Sequence, residues 1–192
     1  IFTWFASSKV GDATHRALVV RARAGTGKTT TIKRAFSFAP EQSCLYAVFN
    51  KKNQREAAVA ITDGRVYIKT LHSVGFTYIQ NVWAGVLPTD EVETDRINSI
   101  ITESAPAELR TQLRKFLAFA KNTFIDPTIE ELIELAKDRD IECASMEDEA
   151  AGGWTTEKLA KTVRSLLDLS KQRDVQGRIS FNDMVWLPVA MN

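Results

Sequence analysis

An apolar run followed by a glycine-rich turn occupies residues 17–29: Ala17-Leu18-Val19-Val20-Arg21-Ala22-Arg23-Ala24-Gly25-Thr26-Gly27-Lys28-Thr29. The apolar run predicts a short buried strand of a parallel sheet. Residues 28–38 predict a helix, which Pro40 closes. A strand, a glycine-rich turn and a helix in this order are typical of a phosphate-binding loop of the Walker A type, in which backbone N–H groups surround nucleotide phosphates. Residues 22–29, called the phosphate loop below, are therefore predicted to bind a nucleotide.

The residue types in the phosphate loop predict how it holds that nucleotide. Gly25 and Gly27 permit backbone conformations that other residues avoid, so that N–H groups can approach phosphate oxygens. Lys28 is expected to reach the β- and γ-phosphates, and the Thr29 hydroxyl is expected to bind Mg²⁺. We predict an ATP–Mg²⁺ site in which Lys28 and Thr29 act in catalysis and the phosphates contact Ala24, Gly25, Thr26, Gly27, Lys28, Thr29 and Thr30.

Two features of the phosphate loop bear on this prediction. Ala22 stands where the strict motif has glycine, which keeps a small residue at the turn. The side chains of Arg23 and Thr26 are interpreted as tolerant of replacement. The alternative is a chance match, which the flanking strand and helix patterns disfavour.

Strand and helix patterns alternate beyond the phosphate loop. Residues 44–49 and 65–69 are rich in β-forming side chains, whereas residues 51–61 and 72–82 have helical patterns. This alternation predicts a parallel sheet with crossover helices. The chain is therefore predicted to have an α/β fold in residues 1–89.

A helical block is predicted to follow in residues 90–178. No strand pattern occurs between Asp95 and Arg173, and apolar residues recur there at three- and four-residue steps. The rows are Leu109, Leu113, Phe116, Leu117, Ala120 and Phe124; Ile129, Leu132, Ile133 and Ala136; and Leu159, Val163, Leu166 and Leu167. Ser180 and Asp183 have capping-box spacing and predict a final helix in residues 179–192 that returns to the first domain.

Composition limits the class of protein. The formal net charge of +1 is not the strongly basic balance of many nucleic-acid-binding domains, so nucleic-acid binding must be argued from placed residues. No apolar run is long enough to span a bilayer and no signal peptide is evident, which predicts no membrane association. Cys44 and Cys143 lack metal-ligand spacing, and Cys44, in an apolar run, is predicted to be a buried free thiol. This agrees with an intracellular compartment, cytoplasmic or nuclear.

Four segments in order carry a family resemblance: the phosphate loop, residues 48–54, residues 70–75 and residues 179–184. Together they resemble superfamily 1 DNA helicases of the UvrD/Rep type. That family has a phosphate loop of the form A-x-A-G-T/S-G-K-T, an asparagine–lysine stretch after the second strand, T-x-H-S/T after the third, and a phrase similar to D-F-D-D-M/L. Asn182 departs from this pattern, since the family often has aspartate there.

The resemblance implies a RecA-like parallel sheet with helices on both faces and an inserted helical subdomain. It implies an ATP-dependent DNA helicase or translocase, with single-stranded DNA facing Phe49, Asn50, Lys51, Thr70 and His72. The helical insertion is expected near the duplex junction. The family's adenine-reading glutamine, catalytic Asp-Glu strand and second motor domain have no counterpart in these residues, so the chain is expected to be a fragment with negligible hydrolysis of its own.

Several alternatives stay open at this point. Phe49 could pack in the core, Lys52 could be an ordinary solvated residue, and His72 could cap a helix. Asp183 is interpreted as a capping-box partner rather than a catalytic acid, and Trp83, Trp154 and Trp186 as packing residues. The alternative functions are another phosphate-loop NTPase or a small-molecule kinase that does not act on nucleic acid, and a non-enzymatic binding module.

Overall fold

The computed structural model describes residues 1–6, 18–23, 25–102, 105–123, 125–141 and 153–191. The chain divides into two compact units, residues 1–74 and 75–192. The first unit contains α1 (Phe2–Ala6), α2 (Lys28–Ala35), a 3₁₀ turn (Phe36–Phe38), β1 (Cys44–Val48), α3 (Lys51–Ala60) and β2 (Val66–Thr70). The unit boundary falls within α4 (Leu71–Val82). The second unit continues with β3 (Leu87–Pro88), α5 (Glu91–Ile100), α6 (Ala107–Thr123), α7 (Ile129–Asp138), α8 (Thr156–Ser170), β4 (Arg178–Ile179) and α9 (Phe181–Ala190).

A two-stranded parallel sheet forms the centre of the first unit. β1 and β2 pair in parallel with Cys44 opposite Val66 and Val48 opposite Thr70. This confirms the strands predicted near residues 44–49 and 65–69. One face of the pair packs against residues of α2, the 3₁₀ turn and the end of α3. The strand residues of this cluster are Cys44, Tyr46, Val66 and Ile68, and their partners are Ile32, Phe36, Ala57 and Ile61. Within the described residues, the sheet therefore has one packed face.

The predicted RecA-like sheet with helices on both faces is wrong. Helices make up 61% of the described residues, and the sheets among them are two parallel pairs, β1–β2 and β3–β4. On the face of β1–β2 away from the packed cluster, the cross-strand partners Leu45 and Tyr67 are 52% and 58% exposed. β1 is apolar at successive positions, as in a strand covered on both faces, but its burial alternates because the described residues pack against one face of the pair.

The first predicted strand is also wrong as far as the structure describes it. Ala17 lies outside the described residues, and residues 18–20 adopt no strand conformation. Val19 is 78% exposed. A strand is completed by hydrogen bonds to a neighbour, and none of the described residues pairs with this run. An apolar sequence therefore did not suffice to form a strand here.

Arg65 fixes the connection between α2 and β1. Its guanidinium donates to the carbonyl oxygens of Phe36 (3.1 Å), Ala39 (2.9 Å) and Glu41 (3.0 Å). It also donates to the Asp63 carboxylate at 2.7 Å, and this hydrogen bond holds the pKa of Asp63 below its ordinary value. Arg65 therefore joins three backbone carbonyls of the segment between α2 and β1 to one side chain.

Helices dominate the second unit. The predicted row on α6 is fully buried at Leu109, Leu113, Phe116, Leu117 and Ala120, while Phe124 lies outside the described residues. The rows on α7 and α8 also pack into this core, which confirms their helical periodicity. Burying each large side chain contributes about 1.5–3 kcal/mol. None of the described helices has the length and apolar composition needed to span a bilayer.

Two further expectations for the second unit are confirmed. Trp186 is buried, and Trp83 and Trp154 pack against the same core. Ser180 Oγ accepts from the Asp183 N–H at 3.1 Å, and Asp183 accepts in return from the Ser180 N–H at 3.1 Å. This reciprocal pair is the predicted capping box at the start of α9. The domain boundaries at residues 89/90 and 178/179 stay a prediction.

Candidate nucleotide and nucleic-acid site

The phosphate loop has the backbone geometry that its glycines predict. Gly25 and Gly27 have φ values of 78° and 76°, in the left-handed region that favours glycine. A Cβ at either position would meet nothing within 4 Å, so backbone conformation rather than crowding requires glycine there. α2 begins at Lys28, directly after the turn. Its first N–H groups and the positive end of its dipole therefore lie beside the loop.

Lys28 folds back over the phosphate loop. Its ammonium donates to the carbonyl oxygens of Ala22 at 2.9 Å and Arg23 at 2.6 Å. The Thr26 hydroxyl donates to the same Arg23 carbonyl at 2.8 Å. The Thr26 side chain therefore makes a hydrogen bond within the loop, while its tolerance of replacement stays a prediction. These bonds hold the ammonium at the mouth of the loop.

Thr29, the predicted metal ligand, is the last residue of the phosphate loop. Thr29 and Thr30 are exposed in the first turn of α2, and Ala24 lies outside the described residues. Within the described ranges, no group of three or more His, Cys, Asp and Glu side chains is placed to hold a metal ion. Mg²⁺ usually binds through few protein ligands together with substrate phosphates and water. A single hydroxyl from Thr29 beside bound phosphates fits that chemistry.

A cavity joins the phosphate-loop helix to the end of β1. It has a volume of about 320 Å³ and is lined by Thr29, Lys33, Tyr46, Ala47, Val48, Phe49, Asn53, Glu56 and Ala57. Thr29 is the candidate metal ligand, whereas Phe49 is a candidate nucleic-acid contact. The fold of the first unit therefore places residues from the two predicted sites on the wall of one cavity.

The candidate nucleic-acid residues lie at one edge of the β1–β2 sheet. Val48 and Thr70 end the two strands and are opposite each other in the register. Residues 49–51 and 70–72 therefore lie at the same end of the sheet. Phe49 is 78% exposed, so its interpretation as a core residue is wrong. Lys51 is exposed beside it. The edge therefore presents an aromatic face and a cation to solvent.

Two of the five candidates use their side chains to cap helices. Asn50 Oδ1 accepts from the Asn53 N–H at 2.8 Å at the start of α3. Thr70 Oγ1 accepts from the Ser73 N–H at 3.2 Å in the first turn of α4. The residue capping α4 is therefore Thr70 rather than His72, which is half-buried. Lys52 is exposed on α3, as expected of a solvated helix residue.

No protein-family model, curated protein or solved structure matches this chain. The helicase resemblance therefore depends on the four motif segments and on where the structure places their residues.

Sequence reasoning missed a buried ion cluster in the second unit, formed by Glu93, Arg96, Lys121 and Asp183. Asp183 accepts from Lys121 Nζ at 2.7 Å and from Arg96 Nη1 at 2.6 Å, and Lys121 also donates to Glu93 at 3.0 Å. All four residues are buried. A signal existed in the sequence, because Lys121 continues the buried row of Leu113 and Leu117 at a four-residue step.

The ion cluster determines the charge state of Asp183. Burial by itself raises the pKa of a carboxyl group, but the nearby charges of Lys121 and Arg96 and their hydrogen bonds outweigh burial. The pKa of Asp183 is therefore held below its ordinary value. Asp183 is a charged structural residue that joins α9 to α5 and α6, which agrees with its interpretation as a capping residue rather than a catalytic acid.

Proposed function

We propose that this chain is the ATP-binding portion of an ATP-dependent DNA helicase or translocase. The observation that carries the proposal is the shared cavity wall, on which Thr29 of the nucleotide site and Phe49 of the candidate nucleic-acid edge both lie. A motor on nucleic acid needs such proximity, because nucleotide state must alter the grip on the strand. A small-molecule kinase has no need of an exposed aromatic residue at this place.

The residues of the chain would divide the work as follows. Lys28 would exchange its bonds to the Ala22 and Arg23 carbonyls for bonds to phosphate oxygens, with charge assistance. The N–H groups of the phosphate loop and α2 would hold the remaining phosphate oxygens. Thr29 would hold Mg²⁺, which supplies neutralisation of phosphate charge. Phe49 would stack on a base, and Lys51 would neutralise a backbone phosphate without reading sequence.

The Lys28→Ala chain is expected to bind Mg-ATP at least about tenfold more weakly than the wild type. Hydrogen bonds to charged groups contribute about 1.5–3 kcal/mol, and about 1.4 kcal/mol corresponds to a tenfold change in Kd. The measurement is isothermal titration calorimetry at fixed ionic strength. Arg34→Ala is the matched control, because Arg34 is exposed near the end of the same helix and carries the same charge. Equal affinities for all three chains would remove the nucleotide site from this loop.

The Phe49→Ala chain is expected to bind a single-stranded oligonucleotide about 5- to 150-fold more weakly, since stacking on one base contributes about 1–3 kcal/mol. Fluorescence anisotropy of a labelled oligonucleotide measures this change. Tyr67→Ala is the matched control, because Tyr67 is an exposed aromatic residue of the same sheet that lies on its open face. If the wild-type chain binds Mg-ATP but no oligonucleotide, the helicase proposal fails and another phosphate-loop NTPase or a kinase remains.

A further inference from the structure

Arg23 lies beside the lysine on which the proposed nucleotide site depends. Lys28 Nζ is 2.6 Å from the Arg23 carbonyl oxygen. Since a carbonyl oxygen lies about 2.4 Å from its own Cα, the ammonium is within about 5 Å of Arg23 Cα. An arginine side chain, with three methylene groups and a planar guanidinium, can span that distance. A phosphate oxygen held by Lys28 is therefore within reach of Arg23.

Hydrogen bonds fix the Arg23 backbone, whereas its side chain makes no such bond among the described residues. The carbonyl accepts from both Lys28 and the Thr26 hydroxyl, which fixes the peptide group. The side chain is exposed, and its guanidinium makes no hydrogen bond or ion pair within the part of the chain that the structure describes. Among the described residues, the five donors of the guanidinium thus make no structural contact, and the Arg23 backbone that carries them lies in the phosphate loop.

We infer that Arg23 binds the terminal phosphate of a nucleoside triphosphate and makes the phosphate loop prefer triphosphate to diphosphate. The inference rests on the proposed function. In a phosphate loop the backbone N–H groups hold the α- and β-phosphates, and the lysine reaches the β- and γ-phosphates. Because the Lys28 ammonium lies beside Arg23 and the lysine reaches the γ-phosphate, the Arg23 side chain is within reach of that end of the nucleotide, where a diphosphate has no group to offer.

Guanidinium chemistry suits that role. Its planar fork can donate two parallel hydrogen bonds to a phosphate, whereas an ammonium acts as a point charge. Lys28 and Arg23 would then divide the terminal phosphate between them.

The test is the affinity of the full chain for Mg-ATP and for Mg-ADP, measured by calorimetry for the wild type, Arg23→Ala and Arg21→Ala. Arg23→Ala is expected to weaken Mg-ATP binding about tenfold, the loss of one charge-assisted contact, and Mg-ADP binding less than about twofold. Arg21→Ala controls for bulk charge, because Arg21 is exposed directly before the phosphate loop and the bonds of Lys28 go to the Ala22 and Arg23 carbonyls instead. Arg23→Lys keeps the charge but loses the fork, and is expected to recover only part of the Mg-ATP affinity.

Three outcomes overturn the inference. Equal weakening of Mg-ATP by Arg23→Ala and Arg21→Ala would indicate general charge attraction. Equal weakening of Mg-ATP and Mg-ADP by Arg23→Ala would place Arg23 away from the terminal phosphate. Absence of binding by the wild-type chain to either nucleotide would contradict the proposed function itself, and this outcome differs from the others because it precedes any substitution.

Discussion

The Asp183→Ala chain is expected to lose about 3–5 kcal/mol of unfolding free energy in its second unit, which is the usual cost of breaking a buried ion pair by removing one partner. Arg96 would lose its carboxylate partner, and Lys121 would retain Glu93 alone. Arg96 Nη2 is already buried without a hydrogen-bond partner in the described part of the chain. The substitution also removes half of the capping box, which adds to the loss. Urea denaturation followed by tryptophan fluorescence measures it, because Trp186 is buried in this unit.

Asp126→Ala is the matched control for Asp183. Asp126 accepts from Arg164 at 2.7 Å and from Lys171 at 2.8 Å, so the bond lengths resemble those of Asp183. Its side chain is 59% exposed, however, and an exposed pair contributes only about 0–1 kcal/mol. Asp183→Asn is expected to cost nearly as much as Asp183→Ala, because it keeps the shape and removes the charge. A loss of similar size in Asp126→Ala and Asp183→Ala would rule out burial of the ion cluster as the cause.

Local patterns predicted most helices and the β1–β2 pairing, because helix periodicity and strand composition are properties of a few consecutive residues. The strand predicted around Val19 is wrong because strand formation is not a property of consecutive residues alone. The neighbours of Val19 in sequence favour a strand, but a strand also requires a partner from elsewhere in the chain. The exposure of Leu45 and Tyr67 has the same origin, since a sequence does not specify which faces of a sheet are covered.

In the candidate site, too, some features follow from local sequence and others depend on tertiary packing. The φ values of Gly25 and Gly27 follow from local backbone chemistry, and they were predictable from the loop motif. The exposure of Phe49 and its place on the same cavity wall as Thr29 depend on how β1 meets α2, so apolar character alone could not distinguish a stacking face from a core residue. Lys121 shows the converse case, in which a charged residue on an apolar row becomes buried because distant carboxylates neutralise it.

Gly75 lies at a close approach between α4 and α9, and the Gly75→Ala chain is expected to lose about 2 kcal/mol or more of unfolding free energy in the second unit. A Cβ on Gly75 would lie 1.7 Å from the Met184 carbonyl oxygen and 2.8 Å from its carbon. Pro188 has no N–H to donate to this carbonyl four residues earlier. Alanine gains about 0.5–1 kcal/mol over glycine in a helix, whereas overpacking costs about 1–3 kcal/mol and more where backbone must move. The clash therefore outweighs the helix propensity.

Two other glycines separate this clash from general effects of adding a methyl group. A Cβ at Gly64 or Gly85 would meet nothing within 4 Å, but Gly85 has a φ of +77°. Gly64→Ala is expected to change stability by less than about 0.5 kcal/mol, and Gly85→Ala to cost about 1–2 kcal/mol through left-handed strain alone. Urea denaturation of the three variants should therefore place Gly75→Ala as the most damaging. If Gly75→Ala proves as mild as Gly64→Ala, α4 and α9 do not approach each other this closely.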